Sequence, residues 1–284
     1  MNDLVNKDKA LFAGCLVTSR FPEYELSSKR VLETIGVKTH TLPGAVCCGQ
    51  VLQGVNSNWI YMTAYNLALA EKRDMDLITL CGGCTNTFKR VQHMCCQNPQ
   101  LLRDINRVLK KVGLHLDNTV KTQHLLEVLH EHSDRISEQL AKTAALKAAV
   151  MNPCQVFRPA NIMQFDDSEH PQVMKGLLEK AVSEVIPYSF QDYCCGASLS
   201  MSNSEAAFQI GRMRLQELEQ KNVDLIVTAC GNCHLLLDSM QREYYSGRKI
   251  PCLFLPQLLG IAMGLSPDDI MINDRSVRSI LNNA

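Results

Sequence analysis

"AVCCGQV", residues 45–51, sets two cysteines side by side before a glycine, and "DYCCGAS", residues 192–198, does so again. Neighbouring Cα atoms stand about 3.8 Å apart, closer than the roughly 4.4–6.8 Å spanned by an unstrained disulfide, so each pair suits an outside partner better than itself. Outward from the first pair, 31 residues separate it from Cys15 and 32 from Cys81-x-x-Cys84. Around the second pair, 39 residues separate it from Cys154 and 34 from Cys230-x-x-Cys233. Corresponding cysteines recur at offsets of 139 to 149 residues. One five-cysteine unit therefore occurs twice, and such a repeat governs the architecture before any single motif does.

Short apolar runs precede three cysteine stations in each half: "ALFAGC", "KTHTLPG" and "LITLC", then "AVMNPC", "SEVIPYS" and "LIVTAC". Runs of this length read as buried strands. Between them, "YMTAYNLALAEKRD" puts Tyr61, Tyr65 and Leu69 on one helical stripe, and "SEAAFQIGRMRLQELEQ" does the same for Phe208, Gly211, Leu215 and Leu218. Strands alternating with helices predict an α/β fold: two similar Rossmann-like domains with small parallel sheets, related by internal duplication. Cys15, Cys81, Cys154 and Cys230 each close a predicted strand, at the carboxyl edge where such sheets collect ligands. The stretch from Asn98 to Lys147 is expected to be helical throughout, with Leu101, Ile105, Val108, Leu109 and Val112 on one face. It extends the first domain, residues 1–146, ahead of the second, residues 147–284.

The 284 residues are 46% hydrophobic and 20% charged, the balance of a soluble globular chain. Lys plus Arg equals Asp plus Glu at 29 each, so no net field favours nucleic acid or an anionic membrane. The opening residues lack the basic-then-apolar pattern of a leader, and no run of about 18 apolar residues occurs. The expectation is a cytoplasmic protein with no membrane span and no nucleic-acid partner. Thirteen cysteines in a reducing compartment point to metal ligation or redox chemistry rather than a disulfide framework.

Thiolates are soft ligands, and five per half with no His or carboxylate at motif positions suit an iron–sulfur cluster or zinc. Structural zinc takes four ligands, usually as two close pairs, and an adjacent Cys-Cys is awkward for one tetrahedral ion. Several irons can employ neighbouring thiolates on different metals, so iron–sulfur fits better. Cys95, Cys96 and Cys252 have no counterpart in the other half and are assigned to core or surface. Gly49, Gly82, Gly83, Gly196 and Gly231 lie where backbone amides must approach the sulfurs.

The doubled arrangement resembles the paired cysteine-rich CCG domains of the heterodisulfide reductase HdrB family. The likeness covers nearly the whole chain and takes in Arg20, Arg158-Pro159, His234 and the closing "PQLLGIAMGLSPDDI". It implies two non-cubane [4Fe-4S] clusters, one on Cys15, Cys47, Cys48, Cys81 and Cys84, the other on Cys154, Cys194, Cys195, Cys230 and Cys233. Through them the family cuts a small-molecule disulfide, the heterodisulfide of coenzyme M and coenzyme B, to two thiols. Implied partners are an HdrC-like ferredoxin subunit, an HdrA-like flavoprotein subunit, and a hydrogenase or dehydrogenase module behind them. Because that substrate carries a sulfonate and a phosphate, Arg20 and Arg158 are the expected substrate contacts, with Lys89 and Arg90 behind them. The chain departs from many relatives at Gln155, where they have a histidine, and at Ser198-Leu199-Ser200, where they run on in glycines. The alternatives are an electron-transfer or sulfur-converting cluster protein of a related bacterial complex with another substrate, and a zinc-stabilised scaffold.

Overall fold

The computed structural model describes residues 7–282. In the first half the elements run β1 (Asp8–Phe12), α1 (Cys15–Arg20), α2 (Pro22–Thr34), β2 (Thr39–His40), α3 (Trp59–Glu71), β3 (Met75–Thr79), α4 (Gly82–Gln97), α5 (Pro99–Leu109), β4 (Thr122–His124), α6 (Leu125–Glu131) and α7 (Ser133–Gln139). The second half follows with β5 (Ala144–Met151), α8 (Cys154–Phe157), α9 (Ala160–Met163), α10 (Val173–Leu178), β6 (Val182–Val185), α11 (Ser204–Gln220), β7 (Leu225–Thr228), α12 (Gly231–His234), α13 (Gln241–Tyr244), β8 (Cys252–Phe254), α14 (Leu255–Ala262) and α15 (Arg275–Asn282). Two four-stranded sheets result, in the order β2-β1-β3-β4 and β6-β5-β7-β8, and every pairing is parallel. The fold is α/β, duplicated, as the repeat implies.

Both faces of each sheet are covered, and the central strands are apolar where they are buried, at Ala10–Phe12 in β1, Leu77 and Ile78 in β3, Ala148–Met151 in β5 and Leu225–Val227 in β7. Along β1, Leu11 faces a core shared by the two halves while Ala10 and Phe12 face one belonging to the first half alone. Along β5, Ala148 and Val150 enter the shared core, and Ala149 and Met151 enter the second half's own. The helix after the last strand of each sheet reaches across to the other half. α14 packs on α2, with Phe254 stacked flat on Tyr24 at 4.0 Å, and α6 packs on α10. This reciprocal exchange fixes how the two carboxyl edges meet.

The expectation of unbroken helix from Asn98 to Lys147 is corrected. The helix ends at Gly113, whose φ of +69° is left-handed, and the chain then forms β4 against β3. Thr122, Gln123 and His124 are polar but buried, so hydrophobicity did not mark this strand. Nor do the five apolar residues share a buried face: Ile105 and Leu109 are in the core, whereas Val108 is 41% and Val112 61% exposed. The expected division between residues 146 and 147 falls inside β5, the strand at the centre of the second sheet's pairing. Among the described residues no helix is long and apolar enough to cross a membrane.

Candidate functional site

Adjacent strands deliver the isolated cysteines to one edge. β1 and β3 pair directly, and Cys15 opens α1 just beyond the first while Cys81 caps α4 just beyond the second. β5 and β7 do the same for Cys154 and Cys230. Helix amino termini carry partial positive charge and favour thiolate over thiol. The double cysteines come in on the loops from β2 to α3 and from β6 to α11. Each loop turns through a glycine in the left-handed region, Gly49 at φ +91° and Gly196 at φ +94°, and the turn aims backbone amides at sulfur. Gly49 N–H donates to Cys47 Sγ at 3.5 Å, Gly196 N–H to Cys194 Sγ at 3.4 Å and Ala197 N–H to Cys195 Sγ at 3.4 Å.

Each loop is held from beneath by a buried polar side chain on the following long helix. In the first half Asn66 Nδ2 donates to the carbonyls of Val46 at 3.1 Å and Cys47 at 3.4 Å, and its Oδ1 accepts from Val46 N–H at 2.9 Å. In the second half Arg214 Nη2 donates to the carbonyls of Phe190, Tyr193 and Cys194 at 3.0, 3.3 and 3.4 Å. Sequence reasoning passed over both residues. The signal was present for Arg214, which interrupts the apolar stripe of Gly211, Leu215 and Leu218 at helical spacing, a polar residue where a core residue belongs.

The ten cysteines form one continuous row. Cys15 and Cys47 Sγ lie 4.0 Å apart, Cys47 contacts Cys48, Cys48 contacts Cys84, and Cys84 contacts Cys81. Cys81 then contacts Cys230, and the order reverses through Cys233, Cys195 and Cys194 to Cys154. The pseudo-twofold relation between halves thus passes between Cys81 and Cys230. Glycine on both sides eases that approach: a Cβ at Gly82 would lie 3.2 Å from Val156 Cγ2, and one at Gly231 would lie 3.3 Å from Leu16 Cδ2, so each neighbour would have to move back by a few tenths of an ångström. Thiols within the row hold their neighbours as thiolates. Donation from Cys47 and then Cys84 pushes Cys48 down to about 4, and donation from Cys154 and then Cys195 pushes Cys194 down to about 2. Cys47 and Cys154, the donors, are raised in turn.

Such a row can hold soft cations. Among the described residues no three His, Cys, Asp or Glu side chains converge on one point as a single-ion site. The sulfurs are spread instead, with backbone N–H groups aimed at them and Gly14 leaving open a space where a Cβ would stand 3.0 Å from Cys84 Sγ. The donor set and its spread fit a multi-iron sulfur group better than one tetrahedral ion.

The two ends of the row are alike in exposure, Cys15 and Cys194 being exposed and Cys47 and Cys154 half-buried, but they differ in the room beside them. Cys15, Cys47, Cys48, Cys81 and Cys84 line a cavity of about 540 Å³, closed on its far side by Ala197, Ser198, Ser200 and Met201 of the second half. The other five lie around a far smaller space of about 20 Å³, covered by Gly82, Gly83, Gln155 and Ser198. Neither arginine expected at a substrate lines the larger cavity, which contains no Lys or Arg. Arg20 is exposed at the end of α1, one residue beyond Ser19 of the wall. Arg158 is engaged elsewhere: Nε donates to Ser168 O at 2.7 Å, Nη2 donates to Asp192 O at 3.0 Å, and Glu169 lies 3.7 Å away. Lys89 is paired with Glu127 at 2.9 Å, and Arg90 donates to Gln53 while covering the Trp59 ring. Cys95 and Cys252 are buried and Cys96 is exposed, all three outside the row.

Residues 9–89 and 148–238 each match the cysteine-rich domain CCG, together more than half of the chain. The chain belongs to the CCG family. The two matched regions take in the first three strands of each sheet, leave β4 and β8 outside, and carry the whole row of ten cysteines. Over 282 residues, 95% of this chain and 94% of the relative, it is 28% identical to the B subunit of a ferredoxin:CoB-CoM heterodisulfide reductase of Methanosarcina mazei. It is 24% identical, over 95% of its own length and 96% of the relative's, to an 8-methylmenaquinol:fumarate reductase membrane anchor subunit of Wolinella succinogenes. In fold it matches the crystal structure of a hypothetical protein from Helicobacter pylori, with a TM-score of 0.73 at 19% identity, over 94% of this chain and about half (51%) of that one.

Proposed function

We propose that this chain is the cluster-bearing HdrB component of a heterodisulfide-reductase-type complex, an oxidoreductase that acts on a sulfur–sulfur bond. The observation that carries the reading is the row itself: two five-thiol sets, each on its own CCG domain, touching at Cys81 and Cys230 beside a cavity open to a small molecule. Cys15, Cys47, Cys48, Cys81 and Cys84 would hold one non-cubane [4Fe-4S] cluster, and Cys154, Cys194, Cys195, Cys230 and Cys233 the other. Bound there, these groups would supply electrons one at a time, and two electrons with two protons convert a disulfide to two thiols.

The chain's own residues would then bind and shield. Leu16, Val51, Met201 and Leu235 give the cavity apolar walls, and Gln50, Ser198, Ser200 and Asn232 give it hydrogen-bonding groups. Its only ionisable lining side chains are the thiols, so water entering the open side supplies the two protons. Arg20 is the proposed cation at the entrance. Exposed apolar side chains surround the same region, among them Val51, Val55, Leu199 and Met201, the last 93% exposed. They favour docking of an HdrC-like ferredoxin subunit there, with an HdrA-like flavoprotein subunit behind it.

The proposed substrate is the disulfide of coenzyme M and coenzyme B. A second reading, in which the complex converts a less charged substrate, draws support from the absence of any cation in the cavity wall. Anaerobic purification with iron and acid-labile sulfide analysis tests the cluster reading: about eight irons per chain are expected from two four-iron groups. Zinc in place of iron would overturn it. Reduced protein given CoM-S-S-CoB is expected to release two thiols. Release only from a neutral disulfide would move the assignment to the second reading.

A further inference from the structure

Arg214 is completely buried within α11, and no carboxylate lies within ion-pair distance of it among the described residues. Only one nitrogen of its guanidinium is satisfied. Nη2 bonds to three carbonyls of the loop that carries the second cysteine pair, while Nε and Nη1 are sealed from solvent without a partner. An unpaired buried charge is among the costliest features a fold can carry, and it persists where an opposite charge balances it. Nη2 reaches the Cys194 carbonyl at 3.4 Å, which sets the charge beside the backbone of the second cysteine pair, while the Asp192 carboxylate of the same loop is turned to His170 at 3.3 Å.

The first half shows that the loop does not need this charge. Asn66 stands 19 residues after Cys47, Arg214 stands 20 after Cys194, and both sit under the carbonyl of the first cysteine of the pair and of the residue before it. A neutral amide performs the mechanical task in one copy, so the cation in the other does something further. The duplication separates charge from scaffold.

We propose that Arg214 is the built-in counter-cation of the second cysteine set and holds the group bound there at a higher reduction potential than the group on the first set. The inference rests on the cluster reading above. A fixed positive charge in a low-dielectric interior stabilises the reduced, more negative state of its neighbour. Electrons delivered to the row would then rest on the second set, beyond Cys81 and Cys230, while the first set, beside the larger cavity, meets the substrate.

The test is a redox titration of the full, cluster-loaded chain and of Arg214→Gln and Arg214→Lys, followed by electron paramagnetic resonance, with iron content and circular dichroism measured on each. Arg214→Gln is expected to lower one of two midpoint potentials and leave the other where it was, with Arg214→Lys staying close to the parent. Two unchanged potentials in Arg214→Gln at full iron would overturn the proposal, as would Arg214→Lys shifting as far as Arg214→Gln. If Arg214→Gln does not fold, Arg214→Lys decides: a retained potential supports the counter-charge, and a lost or shifted cluster overturns it. A parent chain without iron removes the cluster reading, and this proposal with it. Iron present with insensitive potentials removes this proposal alone.

Discussion

The first five-cysteine set lines a cavity of about 540 Å³, and the second lies around a space of about 20 Å³, although both are built on the same strand order. The scaffold was copied closely: matching strands, matching left-handed glycines, matching helix starts at the cysteines. What diverged is what surrounds the sulfur. The neutral Asn66 of one half corresponds to a cation, Arg214, in the other, and the helix that runs unbroken as α4 in the first half is interrupted in the second by a π-helical turn, Leu235–Ser239. Insertions of that kind are frequent at functional sites. On the proposed reading, duplication followed by divergence of the lining would give one module two tasks, contact with a substrate and storage of charge.

Removing a central thiol from each half breaks the comparison most severely. Cys48→Ser and Cys195→Ser are each expected to remove about half of the iron, and each to reduce disulfide cleavage by at least ~100-fold. They should differ in what survives. With Cys195→Ser the remaining, open cluster should still change its paramagnetic spectrum when a thiol product is added. With Cys48→Ser the cluster proposed for the second set, which has only about 20 Å³ beside it, should not. Identical spectra in the two variants would mean that access does not distinguish the sets.

Alanine at the two turn glycines sharpens the contrast at the level of packing. Left-handed backbone costs a residue bearing a Cβ about 1–2 kcal/mol at either site. At Gly49 that Cβ would also lie 2.9 Å from the carbonyl oxygen and 3.0 Å from the Cα of Trp59, backbone atoms that cannot step aside. At Gly196 its nearest contacts are side-chain atoms of Ile210, from 3.2 Å, which can give way. Gly49→Ala is therefore expected to lose roughly 3 kcal/mol or more in urea unfolding and Gly196→Ala about half that. Equal losses would show that the two turns are equally confined.

The fold was readable because its information is periodic. Six strands and the two long helices α3 and α11 announce themselves through apolar runs and helical stripes, and the cysteine spacing pairs them into two halves. The fourth strand of each sheet was not readable: β4 consists of Thr122, Gln123 and His124, buried by pairing rather than by apolarity, and β8 is a three-residue stub. The cysteine row was legible from spacing, since strand order brings equal stations together. Its asymmetry was not, because cavity walls such as Ser198 and Met201 come from the opposite half and no local pattern reports what lies across an interface. Arg158 illustrates the same limit: its place after Cys154 suggested a substrate contact, while Ser168, Glu169 and Asp192 claim its side chain.

The residue that ends the last strand of each sheet also differs, His124 in one half and Phe254 in the other. His124 accepts the Leu126 N–H through Nδ1, and burial pushes its pKa down from the usual 6.5 to about 4. The unfolded chain therefore takes up the proton first as pH falls. The stability tied to neutral His124 is complete above pH 6.5, declines below it and is lost by about pH 4. Between pH 7 and pH 5 His124 is expected to account for about 2 kcal/mol of the loss in urea unfolding, and His234, pushed down to about 4 by the same burial, adds its own. His124→Phe, which copies the second half, should flatten that part of the curve, and a curve of undiminished slope would assign the acid sensitivity elsewhere.

The smallest expected effects separate the two arginines. Arg158→Ala removes donors to two backbone carbonyls, and such bonds contribute about 1 kcal/mol each, so its effect should appear as a loss of roughly 1–2 kcal/mol in stability with KM unchanged. Arg20 is exposed at the end of α1, with Cys15 and Ser19 of the same helix in the cavity wall. An exposed charge contributes little to folding but steers an anion entering nearby, and the steering fades as salt rises. Arg20→Ala is expected to raise KM for an anionic disulfide several-fold at low ionic strength, less at high ionic strength, with iron content and stability unchanged. A neutral disulfide should not distinguish the variant from the parent. If KM for the anionic substrate does not move either, the entrance carries no cation for it, and the uncharged wall of the first half's cavity defines the substrate by itself.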